Sequence, residues 1–400
     1  MLHAVLCLSL LVASVRSTPV SQDAGPAPAA EPRAVHVATT DELRRALTSA
    51  TPGTTVFVAA GEYEGFSVRD VTGESRRPIR IVGADPKHPP VFRGQVQLSD
   101  VVWLELENLV VEGAPHNGVN VDDAGTFETP SHHVVLRGLV VRDCGGRGND
   151  DGIKLSGLDD FRLEECTVER WGRAGSAVDM VGCHRGRIVG CTFRDRPEGT
   201  AATGVQTKGG TRDVEIRSCR FEDAGERAVH LGGSTALAYF RPKPESFEAK
   251  DVVVEGCTFV GSTAPIAFTG VDGATVRFNT FVRPRKWFAR ILQETREPGF
   301  VPCRNGRFTD NLVVYRAADV SVPVNVGDAT APETFVFARN YWHCEDDAAR
   351  AAPRLPTPET DAVVGGDPRF VDAVNGNYRL GADSPAAGHG ADALAPDRRE

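Results

Sequence analysis

Ile188-Val189-Gly190-Cys191-Thr192-Phe193 and Ile216-Arg217-Ser218-Cys219-Arg220-Phe221 share one form, aliphatic-x-x-[Cys/Asn/Leu]-x-[Phe/Val], and that form decides the fold. Upstream it recurs at 163–168 around Cys166, at 136–141 around Leu139 and at 106–111 around Leu109. Downstream it holds Cys257 in 254–259, Asn279 in 276–281, Asn311 in 308–313 and Asn340 in 337–342. The fourth positions are spaced 30, 27, 25, 28, 38, 22, 32 and 29 apart. A repeat of that length and drift, built of short β-branched and aromatic segments with turns between, predicts a parallel β-helix. One such coil cannot bury its own apolar face, so coils stack about 4.8 Å apart and share a core. Equivalent positions then form inward ladders, Cys166-Cys191-Cys219-Cys257 continued by Asn279-Asn311-Asn340. Ladder side chains point the same way, which suits packed free thiols. Cys144, Cys183, Cys303 and Cys344 lie off this ladder, and a disulfide bridge is expected among them.

The ends differ, as the exposed ends of a stacked sheet must. Thr39 to Glu42 has capping-box spacing, and Leu43, Ala46 and Leu47 give a short helix an apolar face to close the N-terminal end. Residues 366–372 and 375–380 read as closing turns with short strands. The 400 residues are 41% hydrophobic and 25% charged, an ordinary globular composition, and the net charge of −9 argues against a general nucleic-acid binder. The apolar run 4–13 ahead of Val15 and Ser17 reads as a secretory signal (1–17) and is too short to span a bilayer. The expected organisation is that signal, a flexible Ala/Pro/Ser-rich leader (18–33), one β-helix domain (34–392) and a disordered tail (393–400). Such a chain is expected outside the cell or in the periplasm, as a monomer with no membrane span.

A second pattern precedes each ladder strand, and its period of two puts alternate residues outward on one parallel sheet. One outward column reads Asn120, Lys154, Asp179, Gln206, His230, Ala267, Arg290, Asn325, and its neighbour carries Asp122, Ser156, Lys208 and Thr269. Only six of the 45 Lys and Arg residues are lysine, and two of those six fall on this stripe. A basic groove on an acidic chain suits a polyanion such as a uronic-acid polymer; the alternative is a solvated sheet face.

The segments 52–56, 60–65 and 77–84, with Asp367-Pro368 and 383–386 near the end, resemble secreted right-handed β-helix proteins of the pectate-lyase-like superfold. The arrangement is most similar to the polysaccharide lyase family of alginate lyases and chondroitinase B. That resemblance implies an all-β, single-stranded right-handed parallel β-helix with a short N-terminal capping helix. It also implies that Lys208, in Val205-Gln206-Thr207-Lys208-Gly209, stands at the family's catalytic lysine. One coil later, where the family has its catalytic arginine, this sequence has His230, with Arg227 near enough to take that role.

Cleaving a uronate by β-elimination needs a base for the proton alpha to the carboxylate, a partner to neutralise that carboxylate, and an acid for the leaving oxygen. The expectation is Lys208 as base, His230 or Arg227 assisting, and Asn120, Lys154, Asp179, Gln206 and Arg290 binding an acidic polysaccharide. Asp150 and Asp151 in Asn149-Asp150-Asp151-Gly152, together with Asp179, could hold Ca²⁺, although Asn-Asp-Asp-Gly is equally a plain turn. The rival readings are a glycoside hydrolase, which needs two outward carboxylates, a uronate epimerase, and a surface module that binds glycans without turnover.

Overall fold

The computed structural model describes residues 33–146, 148–196, 201–243 and 246–394. The expected signal, the leader up to residue 32 and residues 395–400 lie outside these. Arg33, assigned to the leader, instead opens the first strand, Arg33–Val37. Ala393 and Leu394, assigned to the tail, close a final turn, with the Leu394 N–H 3.4 Å from the Ala391 carbonyl.

Each coil contributes strands to three parallel sheets. One sheet has 13 strands; the other two fuse into a 20-stranded sheet through Glu62–Arg69 and Val91–Ser99, strands long enough to serve both. The register slips between Glu64 and Phe66, where those long strands turn from one sheet to the other. The named pairings are parallel except Phe370–Asp372 with Asn377–Leu380, the closing hairpin that the sequence placed there. At the other end the helix Thr40–Thr48 buries Leu43, Ala46 and Leu47. Thr39 accepts from the Glu42 N–H, and the Glu42 carboxylate reaches back to the Ala38 N–H, one residue beyond a strict capping box.

The repeat motif has a backbone cause. The residue before each ladder position is in the left-handed region: Asn108, Gly138, Glu165, Gly190, Ser218, Gly256, Phe278, Asp310 and Arg339. This sharp bend drives the next side chain inward between two sheets. Glycine adopts it freely, whereas for the others it costs roughly 1–2 kcal/mol, offset by what the ladder residue then buries. Cys191, Cys219 and Cys257 direct their thiols at carbonyls of the preceding coil, at 3.5 to 3.6 Å. Asn279, Asn311 and Asn340 make stronger bonds: each Oδ1 accepts the ladder N–H of the coil before it at 2.9 Å. Glu359 ends the column, accepting from Asn340 N, Asn340 Nδ2 and Trp342 Nε1. Beside it, Phe193, Phe221, Phe259 and Phe281 stack at 5.0, 4.6 and 4.8 Å, the spacing of successive coils.

The expected disulfide is not formed. All eight described cysteines are free and buried. Strand register explains why: Leu158, Cys183, Thr211, Ala249, Val271 and Cys303 fall on successive steps of a second inward ladder. Cys183 and Cys303 are therefore four coils, about 19 Å, apart, far beyond the ~7 Å Cα separation a bridge tolerates. Cys144 follows the strand Val140–Arg142, and Cys344 ends the strand Tyr341–Cys344 seven coils further along the same sheet.

Candidate active site

The outward column is in register over every pairing of its sheet: Asn120, Lys154, Asp179, Gln206, His230, Ala267, Arg290 and Asn325 are consecutive Cα partners. Ser67 and Gln97 extend it towards the N-terminus. The strands Ile153–Ser156, Ser176–Val181, Thr203–Lys208 and Arg227–Gly232 carry its chemistry. Alternation explains the placement: Val178, Met180, Val205, Thr207, Val229 and Leu231 go inward and are buried, leaving the residues between them on the face.

The central coils form one continuous polar network. Asp179, only 3% exposed, accepts from the Lys154 ammonium and lies 3.1 Å from Lys208 Nζ through the same oxygen. Lys154 also lies 3.6 Å from Asp151, whose other oxygen accepts the Ser176 N–H at 2.7 Å. Burial, and then the Asp179 charge, push the Asp151 carboxyl up to about 7. Burial alone would lower Lys154; Asp179 and Asp151 outweigh it and hold the ammonium above the ordinary lysine value. Lys208 donates to Gln206 Oε1 at 3.4 Å, and Gln206 Nε2 lies 3.1 Å from His230 Nδ1, so one amide bridges lysine and imidazole.

His230 sits among cations. Arg227 Nη1 is 2.8 Å from its Nε2, and Thr269 Oγ1 is 3.0 Å from the same atom. Burial first, then Arg227, Lys208 and Arg290, push the imidazole well below the usual histidine value. The surrounding cations repel the imidazolium, and the neutral ring can meet the Arg227 N–H with its Nε2 lone pair. Arg227 lies against His230 and is paired with Glu294 at 3.0 Å. Arg290 donates to Asn325 at 3.0 Å, lies 3.9 Å from Glu226 and stacks 4.6 Å from the Trp287 ring.

Lys208 meets Asp179 and Gln206 through the same nitrogen, at 3.1 and 3.4 Å. One sequence expectation changes. The three carboxylates expected to hold calcium do not converge. Asp179 already faces two ammonium groups, and a divalent cation at that oxygen would lie against both. Asp151 is taken by Ser176 and Lys154. Asp150 belongs to a glycine turn, with its backbone packed where Cβ atoms at Gly172 and Gly175 would fall, and its carboxylate is 3.6 Å from His116. Among the described residues no group of three or more His, Cys, Asp or Glu is arranged to hold a metal ion.

Sequence reasoning missed Ser176 and Asn117, which fix Asp151 from neighbouring coils, and Glu248, a wholly buried carboxylate. Glu248 accepts from Gly209 N, next to Lys208, from Thr235 N and Oγ1, and from Thr295 Oγ1, next to Glu294. It lies within an insertion, with no repeat position to mark it.

The family described as "Right handed beta helix region" matches residues 95–281, and the class this fold defines is the right-handed parallel β-helix. Among solved structures, the A-module of mannuronan C-5 epimerase AlgE4 from Azotobacter vinelandii aligns at TM-score 0.55 and 13% identity over 84% of this chain and 94% of that one. Pectate lyase Pel9A aligns at 0.54 and 14% over 90% and 92%. The PL6 alginate lyase AlyGC aligns at 0.50 and 12% over 89% of this chain and 56% of its own. At these identities the likeness is one of fold. No curated protein matches the sequence.

Proposed function

We propose that this protein is an exported lyase that cleaves a uronic-acid-containing polysaccharide by β-elimination. The carrying observation is the in-register run Lys154-Asp179-Gln206-His230, with Lys208 and Arg227 on the same face: cations spaced by the coil rise, around one neutral imidazole. Neighbours of this fold include proteins whose names state action on pectate, alginate and mannuronan, polymers of acidic sugars. The export reading rests on the apolar run 4–13.

The roles follow the protonation pattern. Neutral His230 is the proton acceptor; Lys208, 3.1 Å from the Asp179 carboxylate, donates to the leaving glycosidic oxygen. Arg227 exchanges Glu294 for the substrate carboxylate, which uncovers His230 Nε2 and stabilises the charge that develops as the alpha proton leaves. The C–H electron pair becomes the new C=C bond, the C–O bond breaks, and the leaving oxygen takes the lysine proton. Lysine and histidine thus exchange the roles that the resemblance implied.

The test is ultraviolet absorbance of unsaturated uronate on incubation with polygalacturonate, alginate and glycosaminoglycans, with Lys208→Ala and His230→Ala alongside. Absorbance lost in both variants is the expected result. Reducing ends without absorbance would mean hydrolysis. Deuterium uptake from D₂O without either would mean epimerisation, and retention of the polymer without any reaction would mean a binding module.

A further inference from the structure

The ordinary connection out of the groove sheet is a two-residue turn, Gly209-Gly210 after Thr203–Lys208. After Arg227–Gly232 it becomes a long excursion, 233–248, and the anchors of that excursion show its course. Gly233 packs beside Gln206 and Lys208: a Cβ there would fall 2.4 Å from Gln206 Nε2 and 3.6 Å from Lys208 Cδ. Thr235 is held by Glu248 beside Gly209. Arg241, 7% exposed, donates to the Gly182 carbonyl and to Asp159, both at 2.8 Å. Lys243 sits 4.1 Å from the Phe127 ring. Gly209, Gly182, Asp159 and Phe127 follow the groove strands of four successive coils. Over residues 233–243 the excursion therefore runs back along one rim of the groove as a strap, past the ends of the strands that bear Lys208, Val181, Ser156 and Asp122.

Between its anchors at Thr235 and Arg241 lies the short turn Leu237–Tyr239, and here the burial pattern inverts. Phe240 is buried against Phe300 at 5.4 Å, while Leu237 and Tyr239 are 51% and 63% exposed. A strap held by a buried carboxylate at one end and a buried arginine at the other presents two large apolar side chains to solvent, between anchors that both reach Gly209, the residue after Lys208. Isolated exposed residues need no explanation, but a rigidly mounted pair at the rim of a polar groove does.

We infer that Leu237 and Tyr239 form a sugar-binding platform, taking the C–H face of a pyranose ring in the polymer whose carboxylates the cationic column holds. The occupant follows from the juxtaposition: a uronate unit has an anionic edge and an apolar face, matched here by the lysines on the sheet and by a ring and an aliphatic side chain on its rim. A tyrosine offers area at low entropic cost and keeps its hydroxyl wet. The inference rests on the polysaccharide reading above and adds a specificity element on the strap.

The experiment is native affinity electrophoresis in gels containing polygalacturonate or alginate, with Leu237→Ala/Tyr239→Ala, Tyr239→Phe and Lys208→Ala. The double variant should be retained roughly tenfold more weakly, as expected for loss of one aromatic contact, by a factor unchanged by added salt. Tyr239→Phe should behave as wild type, and Lys208→Ala should lose retention in a salt-dependent way. Wild-type retention with an equally retained double variant would overturn the platform and leave the polysaccharide reading standing. A wild type retained by neither polymer would overturn both.

Discussion

Asn311 tests whether the amide column carries the C-terminal half of the helix. Its side chain is wholly buried and makes four hydrogen bonds. Oδ1 accepts from Asn279 N at 2.9 Å and Asn279 Nδ2 at 3.1 Å; Nδ2 donates to the Val276 carbonyl and to Asn340 Oδ1, both at 3.0 Å. Asn311→Ala strands the Asn279 backbone N–H in the core and leaves the Val276 carbonyl without this donor. Asn340 Oδ1 retains the Asn311 N–H, whereas Asn279 Nδ2 keeps only the hydrogen bonded to Val254, so two buried donors, the Asn279 N–H and one Nδ2 hydrogen, are stranded. At about 1–3 kcal/mol each, plus the cavity, the loss is about 4–5 kcal/mol. Cys219→Ala removes only a thiol making contacts of 3.2 and 3.5 Å, and should cost about 1–2 kcal/mol. The assay is guanidinium denaturation followed by tryptophan fluorescence, since Trp342 donates to Glu359 at the foot of the column. Because coils interact with their neighbours, Asn311→Ala should melt the C-terminal coils before the rest. Equal losses for the two variants would refute the reasoning.

Three further outcomes follow from the same geometry. The Asp151 carboxyl binds its proton more tightly folded than unfolded, so folding stability should fall as pH rises from about 4 to about 7 and flatten above; the span from 3.8 to about 7 bounds the effect at ~4 kcal/mol. Asp151→Asn, read by denaturation at pH 5 and pH 8, should remove that drop, and an unchanged drop would assign it elsewhere. Arg241→Ala should lower stability by about 2 kcal/mol, less than for an isolated buried pair because Arg185 remains on Asp159 at 2.9 Å, and limited proteolysis should then cut the strap first. Alkylation of denatured protein without reductant, mapped by mass spectrometry, should label all eight described cysteines, and any cysteine that labels only after reduction would contradict the free ladders.

The repeat was legible because each coil reuses the same bend: the left-handed residue, the inward ladder residue and the apolar residue two positions on recur at every turn, so Cys166 to Asn340 fall into register on sequence alone. The stripe was legible for the same reason, since a period of two leaves no choice about which of Val205, Gln206, Thr207 and Lys208 face out. Other features lie outside any period. Cys183 and Cys303 belong to a second ladder, hidden because its other steps are Leu158, Thr211, Ala249 and Val271, which share no residue type. Asp179 occupies an outward position, yet two lysines close over it, and burial of that kind depends on the neighbouring coils. The strap from Gly233 to Glu248 and the pairing of Arg227 with Glu294 are contacts between insertions, which carry no repeat to align.

The central claim, that a neutral His230 takes the proton and an ammonium Lys208 gives one, is tested most directly by kcat/KM for unsaturated-product formation as a function of pH. With His230 as base the rate should rise along a limb whose midpoint lies below about 6.5 and reach a plateau through neutral pH. That acid limb should vanish, with a loss of roughly 10²–10⁴-fold, in His230→Ala. A rate that keeps climbing through pH 9 and survives His230→Ala would make Lys208 the base and contradict the account.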